Sequence, residues 1–373
     1  VQSPQSQAEL CAAISDAAKS GACVITAPYN FAPPDTERKS VQLDLSGLNR
    51  VIEHQVADQV INVEAGMKIS DLNKLLLHHR QMLPLSVPAH RTLIDAALSA
   101  DAGDLEHGYG GMRDLVLGMS LALADGTAIK CGGRVVKNVS GYDVSKLIVG
   151  SQGWLAVPIS FHLRLYATPE TSLTMLWSFD SLWRAMNQAK ELWRSGLPFA
   201  SLEMMPRQLV DGAGGRFVLA VRVMSLSAVC DEMRDAATQI AGQPELLLAA
   251  EESDAFWAKL QAALAAPGPM LKVLSAPSVI PSVAEALAAG ALWSARPSKG
   301  KLMALVRSLD DSLAELNALC RKTNEPLLIA APDKQYHYRV RQLPEDDPTV
   351  SELKRSIKVA LDPEFTLNPY VLP

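Results

Sequence analysis

The stretch "LVLGMSLALADGTAIKC" (115–131) constrains the fold of this chain more than any other. Apolar residues alternate on both sides of Asp125-Gly126, a dipeptide whose backbone suits a tight hairpin. A third run, "ISFHLRLYA" (159–167), sets Phe161, Leu163 and Leu165 on one face and His162 and Arg164 on the other. Its polar face is expected to be solvated, His162 included. Upstream, "ACVIT" (22–26), "VQLDL" (41–45) and "QVINVEAG" (59–66) read as further short strands.

Helical spacing appears in "QAELCAAISDAAK" (7–19), with Leu10, Ile14 and Ala17 on one side. It returns in "KISDLNKLLLHHR" (68–80), which is expected to bury Ile69, Leu72, Leu76 and Leu75. The adjacent His78 and His79 point about 100° apart on a helix, so they suit a solvated helix end better than a metal pair. The Pro-rich "APYNFAPPD" (27–35) must be loop.

From about residue 168 the texture changes to longer helices, at 181–196, 228–242, 253–266 and 309–323, the third expected to start on Ser253 as its N-cap. Strands are expected at 214–223, 301–308 and 326–332, and a last helix at 350–363. This alternation predicts an α+β domain with an antiparallel sheet.

A chain of 373 residues exceeds one ordinary core. With 48% hydrophobic and 20% charged residues it is globular, and a balance of 35 basic to 40 acidic residues argues against binding nucleic acid or an anionic membrane. Five scattered cysteines without CxxC spacing disfavour a disulfide framework or a metal cluster, so no metal is expected. The N-terminus lacks a signal-peptide pattern, no apolar run is long enough to span a bilayer, and a few residues are expected to precede Val1. The expected setting is the cytoplasm.

No GxGxxG, P-loop, GxSxG or HExxH motif is present. "HGYGGMRD" (107–114) is the nearest approach to a nucleotide turn, without the dinucleotide spacing.

Two segments nevertheless carry a family signature. "LDLSGLNRVIEHQVADQVINVEAGMKISDLNKLLLHHRQMLPLSVP" (43–88) resembles the first FAD-binding subdomain of the vanillyl-alcohol-oxidase (PCMH-type) flavoproteins. "GGMRDLVLGMSLALADGTAIKCGGRVVKNVSGYDVSKLIVGSQGWLAV" resembles the second. Within that group, "GGRVVKNVSGYDVSKL", "QMLP", "LPFASL" (197–202) and "ALDPEFTLNP" (360–369) resemble the E-subunit family of bacterial glycolate oxidases.

The resemblance implies an α+β fold: a two-subdomain PCMH-type FAD-binding domain (1–167), an α+β cap domain (168–335) and a C-terminal segment (336–373) returning to the first domain. It implies FAD held by Gly110, Gly111, Arg113, Asp114, Lys137, Asn138, Gly141, Tyr142, Asp143, Gly150, Ser151, Gly153 and Val157. It also implies a glycolate-oxidising complex with a flavin-bearing D-type subunit and an iron–sulfur F-type subunit, placed in the cytoplasm or peripherally at the inner membrane through those partners.

A diphosphate needs convergent N–H groups, which Gly-rich turns present at contact distance. Three such turns depart from the family pattern. In the first, Ala27, Pro28, Tyr29 and Asn30 replace glycines, and Pro28 has no amide to donate. In the second, Ile94-Asp95 replaces a Gly-Gly pair, and 94–107 carries Asp95, Asp101, Asp104 and Glu106 without a Lys or Arg. A carboxylate about 4 Å from a phosphate charge costs roughly 4 kcal/mol at an effective dielectric of 20. In the third, Gly150-Ser151-Gln152-Gly153 leads into Trp154, which adds bulk, and Pro158, which removes a donor.

Nanomolar FAD binding needs roughly 12 kcal/mol. Several lost amide contacts, each worth about 0.5–1.5 kcal/mol, together with a misplaced carboxylate remove most of it. These departures weigh against tight FAD binding, while the intact Lys137–Asp143 run keeps it open. Lys137, Asn138, Tyr142 and Asp143 either orient a flavin or pin a turn between strands. Arg113 and Asp114 are expected to form an ion pair closing their loop. No catalytic set emerges. Oxidising a 2-hydroxy acid needs a base and a cation, and "KQYHYRVRQ" (334–342) aligns His337, Arg339 and Arg341, a pattern that also suits a solvated strand face.

Overall fold

A computed structural model describes residues 1–26, 38–133, 143–287, 290–323, 327–331, 339–343 and 348–369. The chain forms two compact units. One comprises 1–103, 110–168 and 347–373, the other 104–109 and 169–346.

In the first unit the helix Gln7–Lys19 buries Leu10, Ile14 and Ala17, and the Ser6 side chain caps it by accepting from the Glu9 amide. The strand Cys23–Thr26 pairs in parallel with Ser40–Leu43. A single parallel bridge joins Val24 to Leu367, so the C-terminal segment lies beside this strand.

A five-stranded antiparallel sheet forms the rest of the framework, in the order Val51–Gln55, Val60–Glu64, Val157–Arg164, Val116–Ala122, Ala128–Gly132. The Asp125-Gly126 hairpin joins the last two, with Gly126 at φ +85° and Asp125 accepting from the Thr127 amide at 2.8 Å. Val63, Phe161 and Met119 lie opposite one another on neighbouring strands and are buried. This is the apolar face that the alternation predicts. The other face is not simply solvated: His162 is half-buried rather than exposed, because it stands at the centre of the sheet between Asn62 and Gly118.

The second unit is built on a nine-stranded sheet whose recorded pairings are all antiparallel. Its core includes Met175, Leu202, Leu219, Val221, Leu271 and Leu302. The helix expected to begin at Ser253 begins at Glu251. Ser253 instead turns inward, its hydroxyl 2.7 Å from that of Thr174. No described helix is long and apolar enough to cross a membrane.

Candidate functional site

The glycine cluster Gly150–Gly153 follows the single-turn helix Ser145–Ile148. All five amides from Gly150 to Trp154 are committed within the protein. Gly150 N donates to Ala97 O (2.8 Å) and Gln152 N to Leu98 O (3.0 Å), both at the end of the helix Leu93–Ser99. Ser151 N donates to Ile148 O (3.0 Å), Trp154 N to Ser151 O (3.3 Å) and Gly153 N to Ser151 Oγ (3.4 Å). The loop therefore satisfies the last carbonyls of a helix, which have no partner within the helix itself.

Gly150, Gln152 and Gly153 have φ of +86°, +57° and +75°. At Gly153 a Cβ would lie 2.6 Å from both Asn368 Nδ2 and Thr26 Oγ1. Glycine is required here by close approach inside the protein. Val157 is fully buried in the sheet opposite Ala122. Pro158 stands opposite Leu121, where the pairing shifts register between Ser120 and Leu121, so its missing donor coincides with an irregularity.

The C-terminal segment locks this loop. Asn368 Nδ2 donates to Gln152 O (2.6 Å) and Thr26 Oγ1 (3.2 Å), while its Oδ1 accepts from Thr26 N (3.1 Å). Lys358 and Asp362 are both completely buried and lie 2.6 Å apart. Lys358 also donates to Trp154 O (2.5 Å) and Leu367 O (2.8 Å), and Asp362 accepts from the amides of Thr366 (2.8 Å) and Leu367 (2.7 Å). Burial pulls the Lys358 ammonium below its usual pKa, against the opposing effect of Asp362. Sequence reasoning missed these roles, although "ALDPEFTLNP" stood out as family-like.

The helix Leu93–Ser99 occupies the place of the second glycine turn. Asp95 is its N3 residue, accepting from Thr92 N (3.0 Å) while Thr92 Oγ1 accepts from Asp95 N (3.3 Å). This reciprocal capping explains an acid at this position. Arg91 lies alongside, its Nε 3.9 Å from Asp95 Oδ2 and its Nη2 donating to Asp95 O at 3.1 Å.

Asp104 and Glu106 belong to the second unit. There Asp104 accepts from Ser201 Oγ (2.6 Å) and lies 3.8 Å from Arg222. Glu106 pairs with Lys301 and, at 3.4 Å, with Arg296, which also holds Glu203 at 2.7 Å. Glu203 is almost completely buried. That burial outweighs Arg296 and, with Asp104 and Glu106 nearby, lifts its pKa to about 7. His107 is pushed down to about 4 by burial and then by Lys299.

Gly110 has φ +83°, and the Gly111 amide donates to Asp114 Oδ2 at 2.8 Å. The expected ion pair between Arg113 and Asp114 is not formed: among the described residues Asp114 is taken by that amide, and Arg113 contributes its carbonyl to Lys146. Asp143 accepts from Ser145 and lies 3.8 Å from Lys146. Pro28, Lys137, Asn138, Gly141, Tyr142 and His337 fall outside the described residues, and for Arg339 and Arg341 only the backbone strand is described.

The described part of this region does not fit a diphosphate: the amides of 150–154 already have acceptors, and Asp95 closes a helix end.

Residues 1–132 match the family model described as an FAD binding domain. A probable mitochondrial D-lactate dehydrogenase of Danio rerio is 29% identical over 174 residues, 46% of this chain and 35% of that protein. The glycolate oxidase subunit GlcE of Escherichia coli (strain K12) is 30% identical over 163 residues, 43% of this chain and 46% of that protein. A D-lactate dehydrogenase of Archaeoglobus fulgidus is 32% identical over 161 residues, 43% and 36% of the two chains. The chain thus spans less than half the length of these relatives. The solved structure of an alkyldihydroxyacetonephosphate synthase superposes with a TM-score of 0.70 at 13% identity, covering 98% of this chain and 76% of that one. Residues 1–132 are thus similar to an FAD binding domain, and the chain shares the α+β fold of the synthase structure.

Proposed function

We infer that this chain is a glycolate-oxidase E-subunit-like component of a complex that oxidises a 2-hydroxy acid, with a degenerate flavin site and a structural or regulatory role. In this reading a D-type subunit carries the flavin, an F-type subunit carries iron–sulfur clusters, and the assembly works in the cytoplasm, at most peripheral to the membrane through its partners. The observation that carries the degenerate-site reading is the commitment of all five amides from Gly150 to Trp154 to acceptors inside the protein. The 30% identity to a glycolate oxidase subunit supports the assignment to such a complex.

A second reading makes the chain an FAD-binding oxidoreductase subunit that oxidises glycolate or a similar acid, or relays its electrons. The family match over residues 1–132 favours it.

Co-expression with D-type and F-type partners, followed by purification and flavin counting, tests the first reading. It predicts a stable complex with one flavin per set of subunits. Failure to assemble, or two flavins per set, contradicts it.

A further inference from the structure

Residues 104–109 group with the second unit, although the chain on either side, ending at Gly103 and resuming at Gly110, belongs to the first. Both bounding glycines have positive φ, +75° and +83°, a backbone state that glycine enters freely. Such positions absorb the dihedral changes of a hinge.

Between them the six residues lie as a strap on one face of the nine-stranded sheet, and charged side chains hold them there. Ser201 stands opposite Arg222, on the strands Ser201–Pro206 and Phe217–Ser225. Arg296 stands opposite Lys301, on Leu292–Arg296 and Lys301–Leu305. Asp104 accepts from Ser201 Oγ at 2.6 Å and lies 3.8 Å from Arg222. Glu106 pairs with Lys301 and, at 3.4 Å, with Arg296. His107 Nδ1 lies 2.6 Å from Ser298 Oγ, and the Gly108 amide donates to Ala200 O at 3.0 Å. Leu105 is the strap's one buried aliphatic side chain, so the hold is mainly electrostatic.

Glu203 projects from the same face as Ser201, two residues earlier on its strand. It is 2% exposed, is held by Arg296 at 2.7 Å and accepts from Ser294. Burial, together with Asp104 and Glu106 on the strap, favours its protonated form against the pull of Arg296. These effects are mutual. Once Glu203 ionises, a third negative charge stands against Asp104 and Glu106, and it competes with Glu106 for Arg296. The other charged groups at this contact are Lys301, Arg222 with its partner Asp254, and Lys299 beside His107. His107 itself titrates near 4, outside the neutral range.

We propose that residues 104–109 form a pH-sensitive strap, closed while Glu203 holds its proton and opening about Gly103 and Gly110 once that proton is lost. The sign follows from the raised pKa of Glu203. Its contribution to the closed strap is complete below about 4.5 and is lost as pH rises through about 7. Opening lets water reach Glu203 and stabilises its charged form. The proposal does not rest on whether FAD is bound.

The test is hydrogen–deuterium exchange of the full chain at pH 6 and pH 8.5, read by mass spectrometry and corrected for the intrinsic pH dependence of exchange. Protection of peptides covering 104–109 should fall roughly tenfold across this range, as the loss of one linked proton allows. The strands Val157–Arg164 and Phe217–Ser225 should keep their protection. Glu203→Gln should abolish the fall. Asp104→Asn, which keeps an acceptor for Ser201 and removes one opposing charge, should shrink it, and decides the matter if Glu203→Gln does not fold. Equal protection at both pH values in the wild type, an undiminished fall in the variants, or a parallel loss in the two strands overturns the proposal.

Discussion

Asn368 donates its side-chain amide to the carbonyl of Gln152, 216 positions earlier in the chain, at 2.6 Å. The same side chain bonds both the amide and the hydroxyl of Thr26. The end of the first strand, the glycine loop and the C-terminal segment are thereby joined at one residue. A turn whose residues serve this junction cannot also open toward a ligand without giving up buried hydrogen bonds.

Asn368→Ala removes three hydrogen bonds and strands the Thr26 amide and the Gln152 carbonyl. At about 1–3 kcal/mol for each buried group left unpaired, the expected loss is roughly 2–4 kcal/mol in urea denaturation. A loss below about 0.5 kcal/mol would show that the junction carries little of the fold.

Lys358 and Asp362 form a buried ion pair, so removing one charge should harm more than removing both. Lys358→Met is expected to cost about 3–5 kcal/mol, and Lys358→Met with Asp362→Asn to cost less than the sum of the singles. A double-mutant cycle measures that difference, and strict additivity would contradict the pairing.

Asp95→Ala should cost about 0.5–2 kcal/mol of stability through loss of the helix cap. Replacing Ile94 and Asp95 together by glycine should leave flavin content unchanged, because the Gly150–Trp154 amides stay committed. Flavin uptake by that double-glycine variant, read by absorbance, would show that the second turn alone limits binding.

Two buried groups give opposite pH signatures. Glu203 has its pKa raised to about 7 by burial, so stability present below about 4.5 is lost as pH rises through 7. His107 is lowered to about 4, so stability present above about 6.5 is lost as pH falls through 4. Melting temperatures between pH 4 and 8 should therefore show the loss toward neutral pH shrink in Glu203→Gln and the loss toward acid shrink in His107→Gln. Unchanged profiles in both variants would contradict the buried-network assignment.

Local periodicity made much of the fold legible. Helical spacing at Leu10, Ile14 and Ala17 describes a surface that must be buried, and the structure buries it; of the two strands flanking Asp125-Gly126 the structure buries Val116–Ala122, while Ala128–Gly132 at the sheet edge alternates between exposed and half-buried. Pairings across the chain were not legible. Asp95 read as a carboxylate hostile to phosphate, because a capping box and a ligand repellent look alike until the helix start is known. Asp104 and Glu106 read as part of the same acidic run, because their partners Arg222, Arg296 and Lys301 lie more than a hundred residues away. Gly150 and Gly153 kept their identity for a reason that sequence alone could not separate from flavin binding.

The central claim is that this chain's own flavin-type site is closed. Its most direct test is the absorbance spectrum of the purified chain before and after incubation with excess FAD and desalting, with released flavin assayed after denaturation. The account predicts a protein without a flavin band in either state. A band approaching one flavin per chain would contradict it, and would mean that the Gly150–Trp154 amides exchange their internal acceptors for the diphosphate.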